Sequence, residues 1–232
     1  MDEKKIDLFG LRVSTMGLLE TGEWIVNKKG GAKIYCCTLN EAMKASESEV
    51  FKKILLNGTI LTADGMPLVW KMKQKMGKGE RVYGPDLMRL VLKKTIDLPM
   101  RHLMIGSREN IKLGKLKNSN YYIPEYKDKF GKEDINKIVG EIKSSKADVV
   151  WISLGAEKQI EVAHSLAEIL PDKIYISVGA AFDFLSGNKR QAPKLVQKIG
   201  FEWLYRLINE PKRLGKRYLK CVLFLVKYWG RD

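Results

Sequence analysis

Six short apolar runs, each spaced from the next by a stretch of helical periodicity or a loop, constrain this chain more than any other feature. They lie at 33–39, 58–62, 101–106, 120–124, 148–154 and 173–178. Helical patterns occupy about 41–56, 66–77, 85–96, 133–146 and 157–169; in 133–146 the residues Ile135, Ile138, Val139 and Ile142 mark one face. Val149-Val150-Trp151-Ile152 is apolar on both sides, as a strand is when helices cover both faces of its sheet. The alternation predicts an α/β fold: a doubly wound, Rossmann-like, mostly parallel sheet with helices on both faces. Ligands in such folds bind beyond the carboxyl ends of the strands. The residues to search for chemistry are therefore 38–40, 63–65, 106–107, 155–159 and 179–183.

Composition narrows the class. At 232 residues, 45% hydrophobic and 30% charged, the chain can bury a sizeable core and is too apolar to be disordered. Cys36 and Cys37 are adjacent in an apolar run and Cys221 stands alone in a basic segment, which fits neither a disulfide framework nor zinc spacing. A reducing compartment is the expectation. His102 and His164 are the two histidines, at unrelated positions, so a His-rich metal site or a Ser-His-Asp triad is a poor fit. No metal and no cofactor is expected. Met1-Asp2-Glu3-Lys4-Lys5 leads into no signal-peptide core. The longest late apolar run, Cys221-Val222-Leu223-Phe224-Leu225-Val226, stops at Lys227, well short of the roughly 18 residues of a membrane span. These features place the chain in the cytoplasm, able to touch a membrane surface.

The charge is uneven. Of a formal +15, the last 39 residues carry +7, with ten lysines and arginines against three acids. This divides the chain into an α/β domain, 1–193, and a helical appendage, 194–232. Pro211 suits a first helical turn, so one helix is expected to about Asn209 and another from there to Trp229. Trp203, Leu207, Leu214, Tyr218, Val222, Leu225 and Trp229 form an apolar stripe, and Arg206, Arg213, Arg217, Lys220 and Lys227 a basic one beside it. Such a pattern suits a surface helix drawn to anionic lipid, and equally a helix packed on its own domain with a solvated basic face. An exposed stripe could also be covered by self-association away from a membrane.

Thr62-Ala63-Asp64-Gly65 ends a strand and opens a helix, so Asp64 stands at the sheet's carboxyl edge, where a carboxylate can act as a general base and Gly65 permits close approach. Taken alone, the position reads more readily as a plain helix N-cap. Arg81, ahead of Gly84-Pro85-Asp86, suits a diphosphate through its planar fork, or a surface ion pair with Glu80. Gly106 and Gly155 follow strands, Gln159 lies one turn into a helix where it could bond a base or sugar, and Asp183 offers an acceptor after Gly179-Ala180-Ala181. Neither G-x-G-x-x-G nor G-x-x-x-x-G-K-[ST] is present, which argues against a dinucleotide oxidoreductase or a P-loop NTPase. Asp-x-Asp is absent too.

Taken in order, several segments resemble the WecG/TagA/CpsF family of bacterial glycosyltransferases. They are Thr38-Leu39-Asn40, Ala63-Asp64-Gly65, Glu80-Arg81-Val82-Tyr83-Gly84-Pro85-Asp86, Gly179-Ala180-Ala181-Phe182-Asp183-Phe184-Leu185-Ser186-Gly187, Ala192-Pro193 and Gly200-Phe201-Glu202-Trp203-Leu204-Tyr205-Arg206-Leu207. The resemblance implies a metal-independent, inverting transfer from a UDP-sugar to a polyprenyl-diphosphate-linked saccharide at the inner face of the cytoplasmic membrane. N-acetylmannosamine or a related hexose is the sugar it implies, and teichoic acid, capsule or exopolysaccharide the product. It assigns Asp64 as general base, Arg81 to the diphosphate, Thr38 and Asn40 to the pocket, and Gln159 and Asp183 to the donor. Arg206, Arg213 and Arg217 fall in an appendage that closes the site and reaches the membrane. The chain departs from the family pattern at Ser107-Arg108-Glu109-Asn110, at Glu157 and at Ile160. Two competing expectations are an inactive scaffold of the same fold and a basic nucleic-acid-binding protein; the second lacks any recognised motif, so no nucleic-acid partner is expected.

Overall fold

A computed structural model of the chain describes residues 4–106 and 118–230. The departure at Ser107-Arg108-Glu109-Asn110 lies outside the described residues. The chain opens with an antiparallel hairpin, β1 (Lys5–Leu8) and β2 (Leu11–Ser14). Its two-residue turn places Phe9 (φ 50°) and Gly10 (φ 76°) both in the left-handed region, as a tight hairpin turn of this hand requires. Helix α1 (Leu18–Asn27) leads into β3 (Ala32–Cys37), then α2 (Leu39–Glu47), α3 (Glu49–Leu56), β4 (Ile60–Ala63), α4 (Met66–Met76) and α5 (Gly84–Lys94). Next come β5 (His102–Ile105), β6 (Ser119–Tyr122), α6 (Lys132–Ser145), β7 (Val149–Ile152), α7 (Ala156–Ile169), β8 (Ile174–Ser177) and the short α8 (Ala181–Leu185). The helical stretch expected at 41–56 is divided at Ser48, whose backbone is extended and whose hydroxyl accepts from the Phe51 N–H to start α3.

Strands β3 to β8 form one sheet in the order β4-β3-β8-β7-β5-β6, every neighbouring pair parallel. Alternate residues of β3 enter opposite cores. Ile34 and Cys36 pack with Ile25 of α1 and with Leu87, Val91 and Leu92 of α5, whereas Tyr35 and Cys37 pack with Leu55 of α3, Leu68 of α4 and Leu166 of α7. The sheet is thus doubly wound and Rossmann-like, with helices on both faces. Because all six strands run the same way, Thr38, Asp64, Gly106, Gly155 and Gly179 come to one edge.

Helices α9 (Lys194–Lys198), α10 (Glu202–Asn209) and α11 (Pro211–Tyr228) end the chain, with Pro211 in the first turn of α11. Helix α11 has three faces. Leu214, Cys221 and Phe224 are buried, the last two in the core cluster that holds α2 and the hairpin. Phe9, at the hairpin tip, meets Phe224 and Trp229 at ring distances of 6.0 and 6.2 Å, and Lys71 Nζ donates to the Trp229 carbonyl. Lys216, Arg217 and Lys220 form a basic face toward α2 and α7. Leu219, Val222, Leu223 and Val226 are exposed and apolar, Val226 at 76%. The expected stripe is therefore split: Leu214 is buried and Leu225 and Trp229 pack on the core, while the exposed apolar face lies elsewhere on the helix, sharing only Val222 with it. Among the described residues no helix is long and apolar enough to cross a membrane.

Candidate active site

Asp64 follows β4 directly, with its N–H bonded to the Cys37 carbonyl at 2.9 Å. It is not the N-cap of α4; Gly65 is, and the Asp64 carboxylate turns instead toward the start of α5. Oδ2 accepts from the Gly84 N–H at 3.3 Å and Oδ1 from Arg81 Nη2 at 3.2 Å. The residue is 8% exposed. Burial lifts its carboxyl to about 6, an effect that Arg81 opposes and Glu202 reinforces.

The loop before α5 places Arg81. Val82 N–H donates to the Ala63 carbonyl at 3.0 Å, extending the edge of β4, and Arg81 Nε donates to the Asp64 carbonyl at 2.5 Å. Arg81 does not pair with Glu80. That carboxylate accepts from the Leu18 N–H at 3.1 Å at the start of α1, where a Cβ on Gly17 would stand 2.2 Å from it. Arg81 Nη1 donates instead to Glu202 Oε2 at 2.8 Å, and the Tyr83 hydroxyl donates to Glu202 Oε1 at 2.5 Å. The Tyr83 ring lies 4.0 Å from the guanidinium carbon. Gly84 must be glycine here, because a Cβ would stand 2.7 Å from the Val178 carbonyl oxygen.

A cleft of about 720 Å³ lies between α2, the start of α7 and α11, lined by Asn40 and Gly155 from two of the strand-end turns; Asp64 and Arg81 are not part of its wall. Its lining also includes Ala156, Lys44, Lys129, Lys158 and the basic face of α11, together with the acids Asp128, Glu157 and Glu161, of which Glu157 pairs with Lys44 at 3.4 Å. Gly65 packs the two strand-end turns together: a Cβ there would lie 3.1 Å from Thr38 Cα. Thr38 caps α2 in a reciprocal box with Glu41, its Oγ1 accepting from the Asn40 N–H at 3.2 Å. Asn40 Oδ1 and Arg217 Nε, both on the cleft, are buried without a hydrogen-bond partner among the described residues. An unmet polar group costs about 1–3 kcal/mol, so this acceptor and this donor are the features of the wall most in need of a ligand.

The remaining candidates sit along the same edge in other company. Gln159 is buried, its Oε1 accepting from the Gly179 N–H at 3.0 Å, which fixes the turn after β8. Gly106 (φ 96°) passes so close to Ser153 that a Cβ would stand 2.4 Å from its carbonyl oxygen. Asp86 pairs with Arg89 at 2.7 Å. Asp183 begins an ionic chain to the C-terminal helices: Lys189 meets Asp183 and Glu210 at 3.3 Å each, and Glu210 also holds Arg213. Arg206 lies over the Phe184 ring at 5.7 Å. Glu202 and Tyr83 gain their place in the site from the fold alone: Glu202 stands 121 residues from Arg81 in sequence and bonds both Arg81 and Tyr83. Among the described residues no three or more His, Cys, Asp or Glu side chains converge to hold a metal ion.

The model of the glycosyl transferase WecG/TagA/CpsF family matches residues 6–231. The chain belongs to that family. This WecG/TagA/CpsF member is thus a glycosyltransferase.

Proposed function

We propose that this chain moves a sugar, N-acetylmannosamine or a related hexose, from a UDP-sugar to a polyprenyl-diphosphate-linked saccharide, with inversion and without a metal. The setting is the inner face of the cytoplasmic membrane, and the product a teichoic acid, capsule or exopolysaccharide precursor. The observation that carries this reading is the buried Asp64, held by Arg81 and the first amide of α5, on the same sheet edge as a cleft rich in lysine and arginine. In a single displacement the acceptor oxygen attacks the anomeric carbon, Asp64 takes the hydroxyl proton, and the bond to UDP breaks with its electron pair leaving on the β-phosphate. Arg81 and the cleft cations Lys44, Lys158, Lys216, Arg217 and Lys220 meet the diphosphate charge. Residues 1–193 act as the catalytic domain and 194–232 as the membrane-associating appendage, with the exposed apolar face of α11 toward lipid.

Calorimetric titration with UDP, with GDP and ADP as controls and then a panel of UDP-sugars, tests the reading. Saturable preference for UDP is expected, and the panel then ranks the sugar. Equal indifference to all three nucleotides in the presence of anionic vesicles would leave an inactive scaffold as the better account.

A further inference from the structure

Arg81 is shared between two carboxylates, and the sharing is unequal. Its contact with Glu202 is 2.8 Å, within the range of a strong charge-assisted bond, whereas its contact with the Asp64 carboxylate is 3.2 Å. The other bond to that carboxylate, from the Gly84 N–H, is 3.3 Å. Arg81 Nε is spent on the Asp64 backbone carbonyl, so the guanidinium cannot present a two-pronged fork to the Asp64 side chain. Glu202 is 5% exposed at the first residue of α10, with both oxygens occupied, one by Arg81 and one by Tyr83. The neck leading into α10 is closely seated: a Cβ on Gly200 would stand 2.8 Å from the Trp70 ring on α4. Stability alone does not call for a carboxylate at 202, since a buried ionic triad commonly does no better than apolar residues of the same volume.

We propose that Glu202 is a positioning residue: by drawing Arg81 toward α10 it keeps the Asp64 carboxylate lightly bonded and free to accept a proton, which ties the base to the seating of the C-terminal helices. The inference rests on Asp64 being the base of the proposed transfer. The groups facing Asp64 are few. Arg81 and Tyr83 come from the loop before α5, Glu202 from α10, and Cys36 and Cys37 from β3, with Glu41 of α2 beyond the thiols. Burial keeps both thiols neutral, and burial together with Glu202 keeps the Tyr83 phenol protonated. Arg81 and Glu202 are therefore the charges that set Asp64, and they act in opposite senses.

The test is a carbon-13 titration of the full-length protein labelled at the aspartate carboxyl, with the Asp64 signal identified by its loss in D64N. In Glu202→Gln the midpoint of Asp64 falls by at least half a pH unit, because Arg81 is released to Asp64. In Glu202→Asp it stays nearer the wild-type value. A folded Glu202→Gln protein whose Asp64 midpoint is unmoved overturns the proposal. Should that variant fail to fold, Tyr83→Phe serves. It strips the donor from Oε1, leaves Glu202 to hold Arg81 more tightly and raises the midpoint; an unmoved midpoint overturns the proposal equally. No substrate enters this measurement. A shifted midpoint without any sugar transfer would sink the transfer reading and leave the Glu202–Arg81–Asp64 coupling standing, and transfer with an unmoved midpoint would do the reverse.

Discussion

At Asp64, burial outweighs the neighbouring guanidinium, so the carboxyl titrates at about 6. In the proposed role of base Asp64 works only when ionised, so kcat/KM on a lipid-linked acceptor should rise with pH through an apparent midpoint near 6. Asp64→Asn should cut turnover by about 10²–10⁴-fold while leaving UDP affinity within about threefold; normal turnover by that variant would remove Asp64 from the role. Stability carries the opposite sign. A carboxyl raised above its unfolded value contributes stability below pH 4 that is lost as pH rises to about 6. His102 acts the other way. It is buried, accepting at Nδ1 from Trp151 Nε1 at 3.1 Å, and its Nε2 faces Thr95 Oγ1 at 2.9 Å. Burial lowers its imidazole to about 4, despite Asp148 nearby, so the stability its neutral form supports is complete above about 6.5 and is lost as pH falls toward 4. The two residues thus oppose each other over the same acidic range. Urea midpoints measured from pH 7 to 4.5 should fall more steeply in Asp64→Asn than in wild type and less steeply in His102→Gln, and parallel curves for all three proteins would refute both assignments.

Among the elements, α11 shows where pattern and packing part company. Leu214 is wholly buried, so Leu214→Ala should lower stability by about 2–4 kcal/mol through the cavity it leaves. Leu223 is 62% exposed on the far side, so Leu223→Glu should leave the urea midpoint almost unchanged and lower capture by anionic vesicles at least tenfold. Equal capture would remove that face from contact with lipid. Five strands of the main sheet are legible in the sequence because each is a short, largely buried apolar run, whereas the edge strand β6, Ser119-Asn120-Tyr121-Tyr122, is half-exposed; the helices between them are legible from their periodicity, apart from the break at Ser48. The hairpin is not: Phe9-Gly10 lacks the Asn-Gly or Asp-Gly pair that marks such turns, and the left-handed Phe9 makes sense only once its ring is seen against Phe224 and Trp229. The split stripe has the same origin, since the pattern shows that α11 is amphipathic but not which of its apolar residues the core takes. In the candidate site, Asp64 and Arg81 are singled out by their place after a strand and before a Gly-Pro turn, but that place alone reads as readily as a helix N-cap and an ion pair with Glu80, and the fold is what brings the two together. Glu202 is not singled out, because its role depends on a contact across 121 residues.

At the scale of the molecule, the proposed function asks a chain of formal charge +15 to divide its cations between a membrane and a substrate. The structure separates two sets on α11. Lys216, Arg217 and Lys220 line the cleft, and Arg217 brings to it a buried Nε with no partner among the described residues. Lys212 and Lys227 are exposed and line no part of the cleft. Charges near an anionic surface act over about 10 Å at 0.1 M salt, and over much less at 1 M, whereas a charge half-enclosed in a cleft is screened far less. Lys212→Ala combined with Lys227→Ala should therefore weaken vesicle capture several-fold in low salt, with the difference vanishing by 0.5 M, and should leave UDP titration in solution unchanged. Arg217→Ala should do the converse, weakening UDP binding about tenfold or more with little dependence on salt while vesicle capture declines only slightly. Each variant is read in both assays. If Arg217→Ala weakened capture as much as the lysine pair did, and spared UDP, the two faces would not be distinct, and the cleft would have to find its counter-charges on α2 and α7, at Lys44 and Lys158.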